Sequence, residues 1–458
     1  MNPLPRRVRW GYGGGEWANA VMWTAFTTLF LYYLTDVVGA GPALGGFAMM
    51  VGTAWNAILQ PWVGLRSDRH RSGRGRRGPF LLAAALPYAL TSWLLFTDFG
   101  LTGAARAVYY PVVVLAWFTS LTVFYVPYGA LGAELSTDYA ERTALATVRT
   151  AFSQLGALLG AIAPLALHGV LGDALGGGDR VGWSAAGAVC ALSATGGLLV
   201  TWRTSRGCEP VVVEPAEDAQ GPRASLELLR SPTLRLLLGV LAFGWAPLGV
   251  TGAVAIYFAV HVMGYAEGTA SLVMLTWFVS GLVWLPVVRR VADRIGTSRT
   301  YVLFTSVWAV LQCLFLLPGR GDDALFWALI LLGSAGSMAV AVTGWSMLAD
   351  VADREELRTG RRCEGAVYGL AAFAQTAVAA LVVWLVGLTL AAAGYSGGDD
   401  PDAGARTAIR VLMSVGTAIW LLPGIWCAGR IALTRADHAQ VRRELANRHG
   451  PDAKVGDR

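Results

Sequence analysis

Charged residues are scarce in this chain of 458 residues: they make up 14%, against a hydrophobic share of 55%, where a soluble domain carries about 25% charged residues. That shortage excludes a soluble enzyme of two or three domains. Cysteine is scarce too. Cys190, Cys208, Cys313, Cys363 and Cys427 show no CxxC spacing and scatter over helices and loops, which argues against a disulfide framework and a metal site. The five histidines are dispersed, no Ser/His/Asp order suits catalysis, and no glycine-rich loop ends in Gly-Lys-Ser or Gly-Lys-Thr. The sequence therefore reads as neither an enzyme nor an ATP-driven pump, and no cofactor is expected. The basic start MNPLPRRVR leads into a long apolar run with no small-residue cleavage site near its end, the pattern of a first membrane helix rather than a cleaved signal peptide.

Glycine (56), tryptophan (18) and proline (19) are plentiful and mean hydropathy is +0.51, as expected of helices that pack closely in lipid and anchor at its interfaces. A helix needs about 20 apolar residues to cross the hydrocarbon. Twelve such runs occur, at 17–38, 44–64, 79–99, 108–134, 144–170, 183–202, 235–262, 269–290, 301–318, 325–348, 366–393 and 408–433. An even number puts both termini on one side. With the termini inside, 30 of the 36 Lys and Arg residues fall in cytoplasmic segments or at the cytoplasmic ends of the runs, as the positive-inside rule requires. A net charge of +6 would suggest nucleic acid in a soluble protein, but here the charges lie between apolar runs. Topology accounts for them, and no nucleic-acid partner is expected. The reading is a multi-pass protein of the plasma membrane or cell inner membrane, functioning as a monomer.

The longest stretch without an apolar run, 203–234, divides the chain into a bundle at 1–202 and a second at 235–433, followed by a tail at 434–458. Internal repetition supports two related halves. PWVGLRSDR begins at Pro61 and PVVRRVADR at Pro286, each with its Pro and Asp-Arg pair seven residues apart. The expectation is an all-α membrane protein of twelve transmembrane helices in two six-helix bundles, the parallel-repeat plan of the major facilitator fold. In both repeats an acid sits beside arginines where two helices meet at the cytoplasmic face: Asp68 with Arg69, and Asp293 with Arg294. An ionised Asp there can cap a helix end and pair with Arg across the bundles, a lock that breaks when they rock. The run from Asp350 to Arg362 carries too many charges to enter lipid and reads as a cytoplasmic loop, the counterpart of Glu134 to Arg142. Both are expected to help close the inner gate.

Four segments, LYYLTDVVG (31–39), SDRHRSGRGRRGPFLL (67–82), VPYGALGAELSTDYAERTAL (126–145) and LADVADREELRTGRRCEG (348–365), occur in an order that resembles the glycoside–pentoside–hexuronide:cation symporters, typified by the melibiose permease. The resemblance spans nearly the whole chain. It implies a twelve-helix transporter that moves a sugar-like solute through a central site, usually with sodium or a proton. It also implies cation-binding carboxylates at positions that here hold Asn56, Gln60 and Tyr125, a first-helix acid where this chain has Ala20, and an eleventh-helix lysine where it has Thr376. A sodium site of neutral oxygens is weak near the bilayer centre, so a proton is favoured over sodium as coupling ion.

Two charges remain to be used. Glu16 follows Tyr12-Gly-Gly-Gly, where many members of the wider family carry an acid; it is a candidate for substrate binding or proton carriage, or an interfacial acid at a helix start. Arg149 lies about 10 Å along the fifth helix from Arg142 and costs roughly 2.5–3.5 kcal/mol to insert. The resemblance places it at the sugar site, where a planar fork can grip vicinal hydroxyls; snorkelling to the headgroups is the alternative. Asn19, Asn56, Gln60 and Gln375 could hydrogen-bond a polyol or tie helices together, and Tyr125, Tyr128 and Trp345 could stack on a sugar ring or simply pack. The reading that results is secondary active or facilitative transport of a sugar, glycoside or related polar solute across the bilayer. Export of a secondary metabolite or amphiphile on the same fold, and a transport-dead membrane sensor, stay open.

Overall fold

The computed structural model describes residues 4–70, 75–135, 139–208, 228–359, 364–398 and 401–431. Within them the chain forms twelve helices and no strand, as lipid demands of a backbone that must satisfy its polar groups internally. They are α1 (Arg6–Tyr32, continued by a wider turn at Tyr33–Val37), α2 (Pro42–Arg69), α3 (Gly78–Leu95), α4 (Gly103–Glu134), α5 (Tyr139–Leu175) and α6 (Gly178–Ser205). The second six are α7 (Pro232–Tyr257, continued by Phe258–Val262), α8 (Glu267–Ile295), α9 (Thr297–Leu314), α10 (Asp323–Thr359), α11 (Glu364–Ala392) and α12 (Ala403–Val411 to Thr417–Arg430 through Leu412–Gly416).

Ten of these helices are long and apolar enough to cross a membrane. The other two are α1, whose polar YGGGEWAN stretch dilutes its apolar face, and α9, whose 18 residues begin with the polar Thr-Ser-Arg-Thr. Outward-facing apolar stripes run along Leu82, Leu86 and Leu90 on α3 and Ile419, Leu422 and Trp426 on α12, all exposed. Such surface suits contact with lipid. Hydroxyls inside the spans are quieted by bonding back along their own helix, as Thr28 does to the Thr24 carbonyl at 2.6 Å and Thr53 to Met49 at 2.7 Å, a habit that spares a polar group from lipid.

One sequence expectation needs correction. The run from Asp350 is not a loop: α10 continues through it to Thr359, because Glu355, buried on this extension, accepts from Ser231 and from Arg358 at 2.8 Å. A charged helix can run on past the bilayer once its inward-facing acid has partners. Arg362 lies outside the described residues, as do 209–227 of the expected linker and the expected tail.

The helices group into two compact units. Unit 1 takes Met1–Ala216 with two pieces of the second half, Gly252–Leu275 and Ala380–Arg410. Its interior is aromatic: Phe26 packs on Trp117 and Phe118, and Phe30 on Phe96 and Tyr110. Unit 2 takes Glu217–Thr251, Thr276–Ala379 and Val411–Arg458, with a core of Leu237, Val240, Tyr301, Trp308, Val340 and Leu421.

Candidate functional site

The glycines before Glu16 explain how an acid comes to lie inside a bundle. A Cβ on Gly14 would overlap the Gly197 carbonyl of α6, and one on Gly15 would overlap the Tyr128 ring of α4. Lacking side chains, this turn of α1 is pressed against its neighbours, as small residues permit in membranes, and Glu16 is carried in with it. Its side chain is 8% exposed.

Arg149, on α5, meets it there. The guanidinium Nε donates to Glu16 Oε2 at 2.6 Å, and Nη2 donates to the Tyr125 hydroxyl at 2.9 Å. Tyr125 in turn donates to the Glu16 carboxylate at 3.3 Å. Arg149 Cζ lies 5.9 Å from the Tyr125 ring centre and 5.7 Å from that of Tyr128, and Tyr128 stacks on Tyr12 at 4.7 Å. The aromatic faces add cation–π attraction to the ion pair. With its side chain 38% exposed, the arginine can offer further donors to a solute. The intramembrane arginine thus has a carboxylate from α1 to offset its insertion. Glu141, an acid nearer to Arg149 in sequence than Glu16, instead binds Arg9 at 2.8 Å.

The other expected site residues divide by unit. In unit 1, Asn19 lies one turn from Glu16 and is half-buried, as is Gln60. Asn56 is buried, and its amide oxygen accepts from Thr122 of α4 at 2.7 Å. Thr122 keeps a second acceptor in the Phe118 carbonyl. We therefore expect Asn56→Ala to cost about 0.6–1.7 kcal/mol, the range of interhelical bonds in membranes, and to leave solute affinity unchanged when binding and melting are measured side by side. In unit 2, Gln375 is half-buried, while Trp345 and Tyr368 are exposed and stacked at 6.4 Å.

Of the expected gating residues, Arg69, Asp293 and Arg294 are exposed at helix ends and Asp350 is half-buried on α10. Asp68 and Glu134 occupy the last turns of α2 and α4, and Arg142 the first turn of α5; their side chains lie outside the described residues.

A second polar cluster, which sequence reasoning did not assemble, forms in unit 1 where α1 ends. The wider turns of α1 and α7 have equivalent sequences, LYYLTDVVG at 31–39 and IYFAVHVMG at 256–264. They have equivalent bonds, Val38 to Tyr33 and Met263 to Phe258, and each finishes in a glycine with positive φ, Gly39 and Gly264. Equivalent residues meet: Tyr32 packs edge-on against Tyr257 at 5.4 Å, and His261 Nε2 lies 3.0 Å from Asp36 Oδ1. Alongside, His168 of α5 contacts Glu267 of α8 at 2.6 Å, and Gly46 of α2 meets the backbone of α11 at Gly387. The available signal was Asp36 within a quoted motif and two histidines near membrane ends; what was missing was the match between the two turns.

A family model described as MFS/sugar transport protein matches residues 11–435. The chain belongs to that family. It is a membrane transporter, not an enzyme, acting on small solutes within the lipid bilayer. Among its relatives, an uncharacterized symporter of Synechocystis sp. is 29% identical over 95% of this chain and 96% of its own. The Escherichia coli protein named as a glycoside/cation symporter, YagG, is 26% identical over 94% of this chain and 91% of its own. These relatives bear out the resemblance to the glycoside–cation symporters. In fold, the family member resembles a crystal structure of the nucleoside transporter NupG, with a TM-score of 0.68 at 11% identity, covering 93% of this chain and all of that one.

Proposed function

We propose that this transporter carries a sugar, glycoside or similarly hydroxylated solute by alternating access between two six-helix bundles, with both termini cytoplasmic, and that it works as a monomer coupled to protons. The observation that carries the reading is the Glu16–Arg149–Tyr125 group. A planar guanidinium tied to a buried carboxylate is a switchable ligand. While Glu16 is ionised it claims Arg149 by a charge-assisted bond. A proton on Glu16 weakens that claim and frees the fork for vicinal hydroxyls or a carboxylate on the solute, while the Tyr125 and Tyr128 faces suit the apolar side of a ring. Trp345, Gln375, Asn19 and Gln60 are further candidate contacts. The name of the YagG relative supports a glycosidic substrate.

The experiment is counterflow in proteoliposomes loaded with a panel of sugars and glycosides, chosen first by thermal shift. Only a transporter of the right solute exchanges label across a sealed membrane; failure of every polyol to exchange would overturn the substrate class. Coupling is tested by replacing sodium with choline. Because the resemblance implies cation-binding carboxylates at positions where this chain has Asn56, Gln60 and Tyr125, uptake is expected to be unchanged. A sodium-dependent fall in the apparent solute constant would sink the proton reading.

A further inference from the structure

The cluster where α1 ends holds two histidines, and their surroundings differ in what they require of a proton. His261 contacts one carboxylate: its Nε2 lies 3.0 Å from Asp36 Oδ1 and 2.8 Å from the Tyr395 hydroxyl, and its Nδ1 has no hydrogen-bond partner among the described residues. Asp36 is also served by Tyr395 at 2.6 Å and by Thr35 at 2.6 Å, which is backed by the Tyr257 hydroxyl. A neutral ring carrying its hydrogen on Nε2 completes that set of donors.

His168 stands otherwise. Its Nδ1 lies 3.1 Å from Asp179 Oδ1 of α6, and its Nε2 lies 2.6 Å from Glu267 Oε2 of α8. The ring is stacked on Trp183 at 5.0 Å, and the other oxygen of Glu267, Oε1, accepts a hydrogen bond from Tyr32 of α1 at 2.6 Å. Arg180, beside Asp179, turns instead to Asp98 at 3.4 Å. A neutral imidazole has one N–H and one lone pair, so one of its nitrogens would present a lone pair to a carboxylate. Two carboxylates on the two nitrogens call for an imidazolium, or for the same extra proton on one of the acids.

We propose that His168 makes closure of this end of the transporter proton-dependent: the closed cluster binds one proton more than the open one, so acid outside holds the end shut and alkali releases it. The proposal rests on the alternating-access reading, which places this end outside the cell. Opening must part α8 from α5 and α1, because Glu267 is gripped by His168 and Tyr32. Once α8 has parted, His168 keeps only Asp179 of α6, a single carboxylate that a neutral ring serves with its one N–H, so the extra proton is lost as pH rises. The Asp36–His261 contact, one ring nitrogen on one carboxylate, adds grip to the same end.

The test is the distance between spin labels at Leu175→Cys on α5 and Leu272→Cys on α8, both exposed, measured by pulsed electron resonance on solute-free protein in nanodiscs. The five native cysteines are replaced by alanine. Between about pH 5.5 and about pH 8.5, which brackets the ordinary imidazole range, the ratio of open to closed populations should rise at least about fivefold; one linked proton permits at most about tenfold per pH unit. His168→Gln should flatten that rise to less than twofold, and so should Glu267→Gln, which removes the demand for the proton and carries the test if the first variant does not fold. His261→Gln should shift the ratio at every pH and keep the slope. A pH-independent ratio in the labelled protein with His168 present, or an unchanged slope in His168→Gln, overturns the proposal. Counterflow on the same preparations separates the two readings. pH-dependent distances without counterflow would leave the proton clasp standing and the transport reading broken, whereas flat distances with intact counterflow would remove the clasp alone.

Discussion

Arg149→Lys is expected to lose about ten- to a hundredfold in solute affinity, the equivalent of about 1.5–3 kcal/mol for one charge-assisted hydrogen bond, while the protein still folds. Lysine keeps the charge and can still meet Glu16. It cannot reproduce the fork that serves Glu16 through Nε and Tyr125 through Nη2 at once, nor present a flat cation to the rings of Tyr125 and Tyr128. Arg149→Gln removes the charge as well and should bind no better than Lys, with an added loss of stability because Glu16, 6% exposed, is left without its counter-ion. Ligand affinity and melting temperature measured on both variants decide the matter. Normal binding in both would return Arg149 to a snorkelling or purely structural role, and early melting of the Lys variant with normal affinity would make it a packing residue.

The all-α membrane class was legible, and ten of the described helices are long and apolar enough to cross, because lipid imposes one strong rule on sequence, a long apolar run per crossing. Where that rule weakened, so did the reading. The charged run after Asp350 reads as a loop because hydropathy reports what enters lipid and not where a helix stops; Arg358 sits one turn beyond Glu355, but Ser231, the other partner of that buried acid, lies 124 residues away. At the candidate site, Arg149 and Glu16 each stood out as charges within apolar surroundings. Their pairing did not, since 133 residues separate them and it depends on α1 reaching α5 through glycines whose function is invisible until the Tyr128 ring and the Gly197 carbonyl are placed against them. His168 and Glu267 illustrate the same limit. Each is an unremarkable polar residue at a helix end until α5 and α8 are set side by side, when the two nitrogens of one ring are found facing two acids.

Glu16→Gln should separate accumulation from exchange. Glutamine preserves the shape of the side chain and can still accept from Arg149 through its amide oxygen, so the helices have no reason to part. Breaking a buried ion pair costs about 3–5 kcal/mol when a charge is stranded, but Arg149 is partly solvent-exposed and keeps Tyr125, so the cost here should be nearer 1–2 kcal/mol. What the variant loses is the only carboxylate within reach of Arg149 among the described contacts, and with it the site that takes up and gives back a proton. If a proton on Glu16 is what releases the arginine to the solute, the amide holds the group permanently in its neutral form. Counterflow, which needs binding and alternation but no net proton movement, should stay within about threefold of the unmodified protein, while uptake driven by an inward proton gradient should fall at least about tenfold, since a gradient acts only through a difference in proton binding between states. Measuring both on the same proteoliposomes is decisive. Gradient-driven accumulation that survives in Glu16→Gln would place the coupling proton elsewhere, and loss of both activities with normal melting would make Glu16 a direct ligand of the solute.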